Sequence, residues 1–592
     1  METIGWPAWL TLLVVLATVV VLALDRLSPA ATVLTAVIAL LLPGVITPEQ
    51  AFSGFSNAAP ITVAALYVLA RAVEKTGGLQ PLVTATMGRG GGPRRSLARL
   101  LVPAAGASAF LNNTPIVAML VPVVSDWADR HGQSPSRFLM PLSFSVMLGG
   151  VVTAIGTSTN LVVSGLMQAQ GLAPMGMFEL TPVGLPVMIL GIVLIVLLAP
   201  VVLPERRPAR RDVTDNVREF VVDMTVVPRG PLDGKTVEAG GLRHLQGVFL
   251  VEIERGGELV APVAPSTLLL GGDRLVFVGK VDLVVDLQKM RGLVSAERHH
   301  LESFDTPKHT FFEAVVGEAS PLVGRSIREA DFRSTYQAAV VAIHRAGQRV
   351  QAKLGTVRLR VGDTLLLLTD PGFRNRWRDR NDFLLVSRLG GAPPAASRKA
   401  GLVGVVTAAI VVGAGAGLLP ILHASLAGAL LLVVLGVLTP AEARGAVDLE
   451  VIVLIAASFG LSAALEASGL AWLVAHALVD AFGVLGSVGV LLGVVVATVA
   501  LTELVTNNAA AVLMFPIAVA AAREIGLEPR GFAIAIAIAA SASFLTPIGY
   551  QTNTMVYGPG GYRFGDYARL GVPLTAMVVL TIVTLAPRWL PF

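Results

Sequence analysis

The chain has 592 residues, 54% of them hydrophobic and 14% charged, with 60 glycines, 36 prolines and no cysteine. At a mean hydropathy of +0.72 it is far too apolar for a soluble protein and reads as a polytopic membrane protein; the missing cysteine excludes disulfides, thiolate metal sites and cysteine nucleophiles. A formal net charge of +5 would suit a nucleic-acid partner, but the basic residues crowd into loops beside apolar runs, where positive-inside topology accounts for them and no nucleic acid is expected.

The first apolar run, roughly residues 6–24, follows Glu2 rather than basic residues, so it reads as a retained span with its N-terminus outside. Spans are expected near 29–46 and 61–73. The loop that follows carries Lys75, Arg89, Arg94, Arg95 and Arg99, which marks it as cytoplasmic. From 100 to 124 an apolar stretch is interrupted by Asn112-Asn113-Thr114-Pro115, leaving arms of about a dozen residues, each too short to span, and a re-entrant hairpin is expected. After a cytoplasmic stretch at 126–137, a span at 138–155 leads to an outer loop reaching Thr181, and a span at 182–202 exits among Arg206, Arg207, Arg210 and Arg211.

Residues 212–385 change character to charges and short alternating strands, such as 248–253 and 274–278, and read as a cytoplasmic insert. The insert is itself a repeat: GPLDGKTV at 230–237 matches SPLVGRSI at 320–327, and GGDRLVFVG at 271–279 matches VGDTLLLLT at 361–369, at one offset of 90 (320 − 230 and 361 − 271). Two small α/β modules, 212–295 and 296–385, are expected, with His299-His300 solvated in the linker between them. Spans resume at 400–419, 424–438 and 451–465. A second hairpin at 484–522 breaks at Thr506-Asn507-Asn508, and spans at 532–545 and 571–585 complete the chain.

The two membrane segments, 1–211 and 386–592, repeat each other. TAIGTSTN at 153–160 returns as TPIGYQTN at 546–553, an offset of 553 − 160 = 393. The partner stretch from Ser108 to Thr114, followed by Pro122, returns from Thr502 to Asn508, followed by Pro516; both prolines read as helix starters. Thr47-Pro-Glu-Gln-Ala51 returns as Thr439-Pro-Ala-Glu-Ala443. An odd number of spans in each half inverts the second. The fold class expected is therefore a polytopic α-helical membrane protein, an inverted repeat of five spans plus one re-entrant hairpin each, with a tandem α/β insert; both termini lie outside.

Glycine, hydroxyl and amide residues suit an unwound, oxygen-rich ion site better than a membrane helix. Free carbonyls with Ser, Thr and Asn oxygens can hold a cation, and helix N-termini favour an anion. No Lys or Arg lies in either tip or break, so bound cations would offset substrate charge. Glu503, whose first-half counterpart is Ala109, is either a functional group or a partner for a nearby helix terminus.

At these residues the chain resembles the divalent anion/sodium symporter family of dicarboxylate, citrate and sulfate carriers, in which each tip carries Ser-Asn-Thr. Here the triplets are Asn112-Asn113-Thr114 and Thr506-Asn507-Asn508, so the central Asn is kept and the outer positions differ. The resemblance implies one sodium site at Ser108, Asn112, Asn113 and Gly156, and another at Thr502, Val505, Asn507 and Gly549, with Val505 and the glycines acting through carbonyls. It implies substrate contacts at Asn113, Thr114, Thr157, Asn507, Asn508, Tyr550 and Gln551, the last pair standing where dicarboxylate-type relatives have Thr and Pro. It also implies a homodimer in the cell membrane. The insert resembles the C-terminal module of the potassium-uptake regulator TrkA, which senses a small ligand or mediates dimer contacts; family members with such an insert include sulfate-type permeases. The function expected is sodium-coupled symport of a small divalent anion, sulfate first, with no enzymatic activity and no prosthetic group. A dicarboxylate/sodium symporter is the alternative, and a regulated ion channel the more distant one, since no TVGYG-like filter occurs.

Overall fold

The computed structural model describes residues 5–23, 27–78, 92–206, 221–242, 248–279, 290–295, 310–388 and 397–591, except 257, 261–262, 291, 318–319, 346–347, 351, 353, 371, 378–381 and 398. Expectations for Arg89, Arg207, Arg210, Arg211, His299 and His300 fall outside the described residues. The chain divides into a helical unit (1–205, 392–557 and 562–592) and an inserted unit (206–391, with 558–561).

In the helical unit, α1 (Trp6–Ala23), α2 (Pro29–Leu41), a short α3 (Pro48–Phe52) and α4 (Ala58–Thr76) come first. A hairpin of α5 (Pro93–Ser108) and α6 (Asn113–Arg130) follows; then α7 (Leu139–Gly150) and α8 (Ser158–Ala169) flank a break, and α9 (Thr181–Val202) closes the half. Past α10 (Phe332–Tyr336) and α11 (Phe373–Trp377) of the inserted unit, the order returns. It runs α12 (Ala400–Gly415), α13 (Ile421–Val434), α14 (Pro440–Ala446) and α15 (Leu449–Ala467), then α16 (Leu470–Phe482). The second hairpin is α17 (Gly486–Thr502) with α18 (Asn507–Glu524), the second broken pair α19 (Pro529–Ala540) with α20 (Gln551–Tyr557), and α21 (Phe564–Trp589) ends it.

The recurrence reaches individual bonds. Both α3 and α14 open with a capping box, Thr47 with Gln50 and Thr439 with Glu442, each satisfying two otherwise free N–H groups. Glu442 also meets Lys75 at 2.7 Å; that contact first, and the Thr439 N–H second, hold its carboxyl at about 2. Every residue of α7 is buried, as is every residue of α19 from Gly531 onward, so the broken pairs sit at the centre. The outer helices keep large apolar side chains exposed, among them Leu190, Val193, Val405 and Leu430, as contact with hydrocarbon requires. Among the described residues, five stretches are long and apolar enough to cross a membrane: Pro48–Thr76, Thr181–Val202, Leu449–Ala467, Leu470–Thr502 and Phe564–Trp589.

Several boundaries differ from the sequence reading. The hairpin arms of the first half are helices of 16 and 18 residues, because polar ends extend them beyond the apolar stretch. Arg94, Arg95 and Arg99 lie on α5, where a loop was expected, and Asp126 pairs with Arg130 at 2.8 Å at the end of α6, within the stretch expected to be cytoplasmic. The span expected at 138–155 is a 12-residue helix, and half of the expected outer loop is the buried α8. Likewise the span expected at 532–545 stops at Ala540, where the polar Ser541 and Ser543 begin the break. The helix Leu470–Phe482 lies between the span expected at 451–465 and the hairpin expected at 484–522, where no element is expected from the sequence. Pro122 and Pro516 are not helix starters: the helices begin at Asn113 and Asn507, and each proline sits in the interior, removing one backbone bond where a bend is expected.

The inserted unit holds two antiparallel five-stranded sheets. The first comprises β1 (Val221–Val226), β2 (Val248–Arg255), β3 (Glu258–Val260), β4 (Arg274–Gly279) and β5 (Leu293–Ser295) in the order β3-β2-β4-β1-β5. The second comprises β6 (Thr310–Val316), β7 (Ala339–Arg345), β8 (Gln348–Arg349), β9 (Thr364–Thr369) and β10 (Phe383–Arg388) in the order β10-β6-β9-β7-β8, the same topology. Its last strand runs past the expected boundary at 385. Arg255 forks onto the buried Asp273, and Arg345 onto the buried Asp363, in both cases at 2.8 and 2.7 Å, and 345 − 255 = 90. Bidentate contact with the aspartate raises the pKa of both guanidinium groups.

Candidate functional site

Each tip is closed by a hydroxyl and an amide five residues apart. Ser108, the last residue of α5, donates to Asn113 Oδ1 at 2.6 Å; Thr502, the last of α17, lies 2.8 Å from Asn507 Oδ1, and 502 − 108 = 394. Each break is tied by its asparagine. Asn160 Nδ2 donates to the carbonyls of Gly150 (3.0 Å) and Thr153 (2.8 Å), and Asn553 Nδ2 to those of Ser543 (2.9 Å) and Thr546 (3.2 Å). A helix interrupted in apolar surroundings must satisfy its freed backbone groups, and one amide fastening two carbonyls does so in both halves.

Tip and break of the same half then touch. A Cβ on Gly156 would fall 2.5 Å from Gly150 O and 2.9 Å from Ser108 O, so only glycine fits this approach. One on Gly549 would fall 2.1 Å from Ser543 Oγ and 3.2 Å from Glu503 Oε2. Ser108, Asn113 and Gly156 are thus together, while Gly549 meets the Thr502–Asn507 pair through Ser543, whose hydroxyl lies 3.5 Å from the Thr502 carbonyl. Asn112 makes no side-chain hydrogen bond among the described residues, and the Val505 side chain packs on Val19 and Leu22. Glu503 serves the second break: its Oε1 accepts from Leu545 N at 2.8 Å and its Oε2 from Thr546 Oγ1 at 3.1 Å. In the first half Thr153 donates instead to the backbone carbonyl of Ala109, the residue at the place of Glu503.

The halves also interlock crosswise. From the first tip, Asn113 Nδ2 donates to Tyr550 OH at 3.1 Å and Thr114 Oγ1 to Gln551 Oε1 at 3.3 Å. From the first break, Ser158 and Thr159 donate to Asn508 Oδ1 of the second tip at 3.2 and 3.0 Å. The N-terminal ends of α6, α8 and α18 therefore converge on polar side chains of the opposite half. Thr157, the residue before α8, leaves that helix uncapped, and its buried hydroxyl, beside Tyr550, makes no hydrogen bond of normal geometry. Free N–H groups and helix dipoles at such ends attract anions, and the chain from 138 to 205 contains no Lys or Arg.

Sequence reasoning missed Ser143, Thr153, Ser158, Thr159, Asn160, Ser543, Thr546, Thr552 and Asn553 as parts of this network. Recurrence of Thr153, Thr159 and Asn160 as Thr546, Thr552 and Asn553 was the available signal for six of them. Ser143 carries no such signal, since position 536 is isoleucine.

The model of the CitMHS (citrate transporter) family matches residues 19–537. An uncharacterized transporter of Synechocystis sp. is 36% identical, over 97% of this chain and 95% of that protein. Sodium/sulfate cotransporter 2 of Chlamydomonas reinhardtii is 26% identical, over 97% of this chain and 89% of that protein. Among solved structures, the Alcanivorax borkumensis YdaH transporter aligns with a TM-score of 0.41 at 14% identity, over 99% of this chain and 98% of that one.

Proposed function

The chain belongs to the CitMHS citrate transporter family, a family of transporters and not enzymes, and from that premise we propose that it is a sodium-coupled symporter of a small divalent anion, sulfate first. It is a multi-pass membrane protein. The observation that carries the reading is the reciprocal crossing of the two halves, Asn113 and Thr114 onto Tyr550 and Gln551, Ser158 and Thr159 onto Asn508. The anion sits between the tips, held by N–H groups, hydroxyls and amides. Sodium ions on either side, one at Ser108, Asn112, Asn113 and Gly156, one at Thr502, Val505, Asn507 and Gly549, supply the positive charge that no side chain provides. Relatives named sodium/sulfate cotransporters, at 25% and 26% identity, support both the ion and the anion.

The family's name favours a second reading, a carboxylate carrier. Competition against labelled sulfate uptake separates the two at fixed sodium. Sulfate should compete far better than succinate; succinate outcompeting sulfate would replace the sulfate reading with the dicarboxylate one.

The repeat is inverted, so that α5–α6 and α17–α18 enter from opposite sides and access alternates between them. Both termini lie outside, and residues 212–385 lie in the cytoplasm as two TrkA-like regulatory modules of a homodimer. Because the chain has no native cysteine, Ser295→Cys reports the side directly: an impermeant thiol reagent on intact cells should spare it, and labelling would reverse the orientation.

A further inference from the structure

The duplicated network is unequal at one point. In the second half the break asparagine is held through its oxygen as well as its nitrogen: Ser143, within α7 of the first half, places its hydroxyl 2.7 Å from Asn553 Oδ1 and 2.8 Å from Thr552 Oγ1. An amide oxygen can only accept, so the single Ser143 proton goes to Asn553, and the Thr552 hydroxyl can donate to Ser143. α7 packs on α20 as α19 packs on α8. At the matching position of α19, 143 + 393 = 536, stands Ile536, which has no proton to give. Asn160 is completely buried, and its Oδ1 has no hydrogen-bond partner among the described residues.

The consequence falls on the cation sites. Asn553 fastens the carbonyls of Ser543 and Thr546, and those two residues frame Gly549. With its oxygen anchored by Ser143, Asn553 cannot turn, and the carbonyls of the second break are preset. Asn160 fastens the carbonyls of Gly150 and Thr153 with nothing behind it. A site that must be ordered when its ion arrives binds more weakly than a preorganised one.

We propose that Ser143 is a positioning residue, contributed by the opposite half of the molecule, that presets the second cation site, and that the first site is the weaker for lacking such a donor. The proposal rests on the sodium-coupled reading. The test titrates sodium in labelled-sulfate uptake by proteoliposomes, and in thermal stabilisation of the purified full chain, for wild type, Ser143→Ala, Ser143→Thr and Ile536→Thr. Ser143→Ala should raise half-saturating sodium by about 3- to 10-fold, the weight of one hydrogen bond. The anion KM at saturating sodium and kcat should stay within about twofold. Ser143→Thr should restore the wild-type value, and Ile536→Thr, which gives Asn160 a donor, should lower half-saturating sodium. An unchanged sodium response in Ser143→Ala overturns the proposal. So does a fall in kcat and melting temperature with no sodium shift, which assigns Ser143 to packing alone. A wild type that takes up sulfate without sodium removes the symporter reading first, before any variant is compared.

Discussion

Asn113→Ala and Asn507→Ala each lower uptake by about a hundredfold when sodium and anion are both subsaturating. In the proposed sites Asn113 does two jobs: its oxygen accepts from Ser108 within the proposed first cation site, and its nitrogen donates to Tyr550 on the proposed anion side. Asn507 Oδ1 stands likewise 2.8 Å from the Thr502 hydroxyl, which also lies 2.7 Å from the Ala540 carbonyl. Truncation removes a hydrogen bond or two, at roughly 1 kcal/mol each, and a cation ligand with them; since about 1.4 kcal/mol is a factor of ten, a loss near 3 kcal/mol gives the stated size. Losing a cation also removes the charge that holds the anion, so apparent affinity for both should fall. Sodium titrations of uptake by variants expressed at the wild-type level provide the check. Unchanged half-saturating sodium in both variants would defeat the assignment.

The double variant Tyr550→Thr, Gln551→Pro shifts the choice of anion from sulfate toward succinate. Tyr550 OH accepts from Asn113, and Gln551 Oε1 accepts from Thr114, so the phenol proton and the amide N–H groups are not spent in those bonds. Donors left over in a crowded, water-poor place suit a compact tetrahedral oxyanion, and the bulk of Tyr and Gln fills the volume that a four-carbon acid needs. Proline at the first position of α20 needs no helical N–H, so the backbone should tolerate it. If sulfate competes about a hundredfold better than succinate in the wild type, the variant should narrow that to about tenfold, the range that contacts of this kind control. An unchanged ratio in a variant that still transports would place the two side chains away from the anion.

Much of this site was legible in the sequence because it is written twice. A single Asn-Asn-Thr in an apolar run says little, but Ser108 through Thr114 followed by the break at 153–160 recurs as Thr502 through Asn508 and 546–553, and the network repeats at those offsets. What escaped were features without an amphipathic or hydropathic trace. α8 and α20 follow breaks and are short and half polar, so α8 was merged into a loop; the arginines on α5 were read as loop for the same reason. Pro122 and Pro516 stand inside helices because Asn113 and Asn507 start them earlier. The crossing of each tip to the opposite break joins residues 437 and 350 apart in sequence, which no local pattern encodes.

The most direct measurement is uptake of labelled sulfate by proteoliposomes containing the purified protein, with sodium high outside and potassium inside. Sodium-coupled symport predicts transient accumulation above the outside concentration, abolished by a sodium ionophore or by equal sodium on both sides. Uptake that only equilibrates, or that accumulates equally well with sodium replaced by potassium, would contradict it.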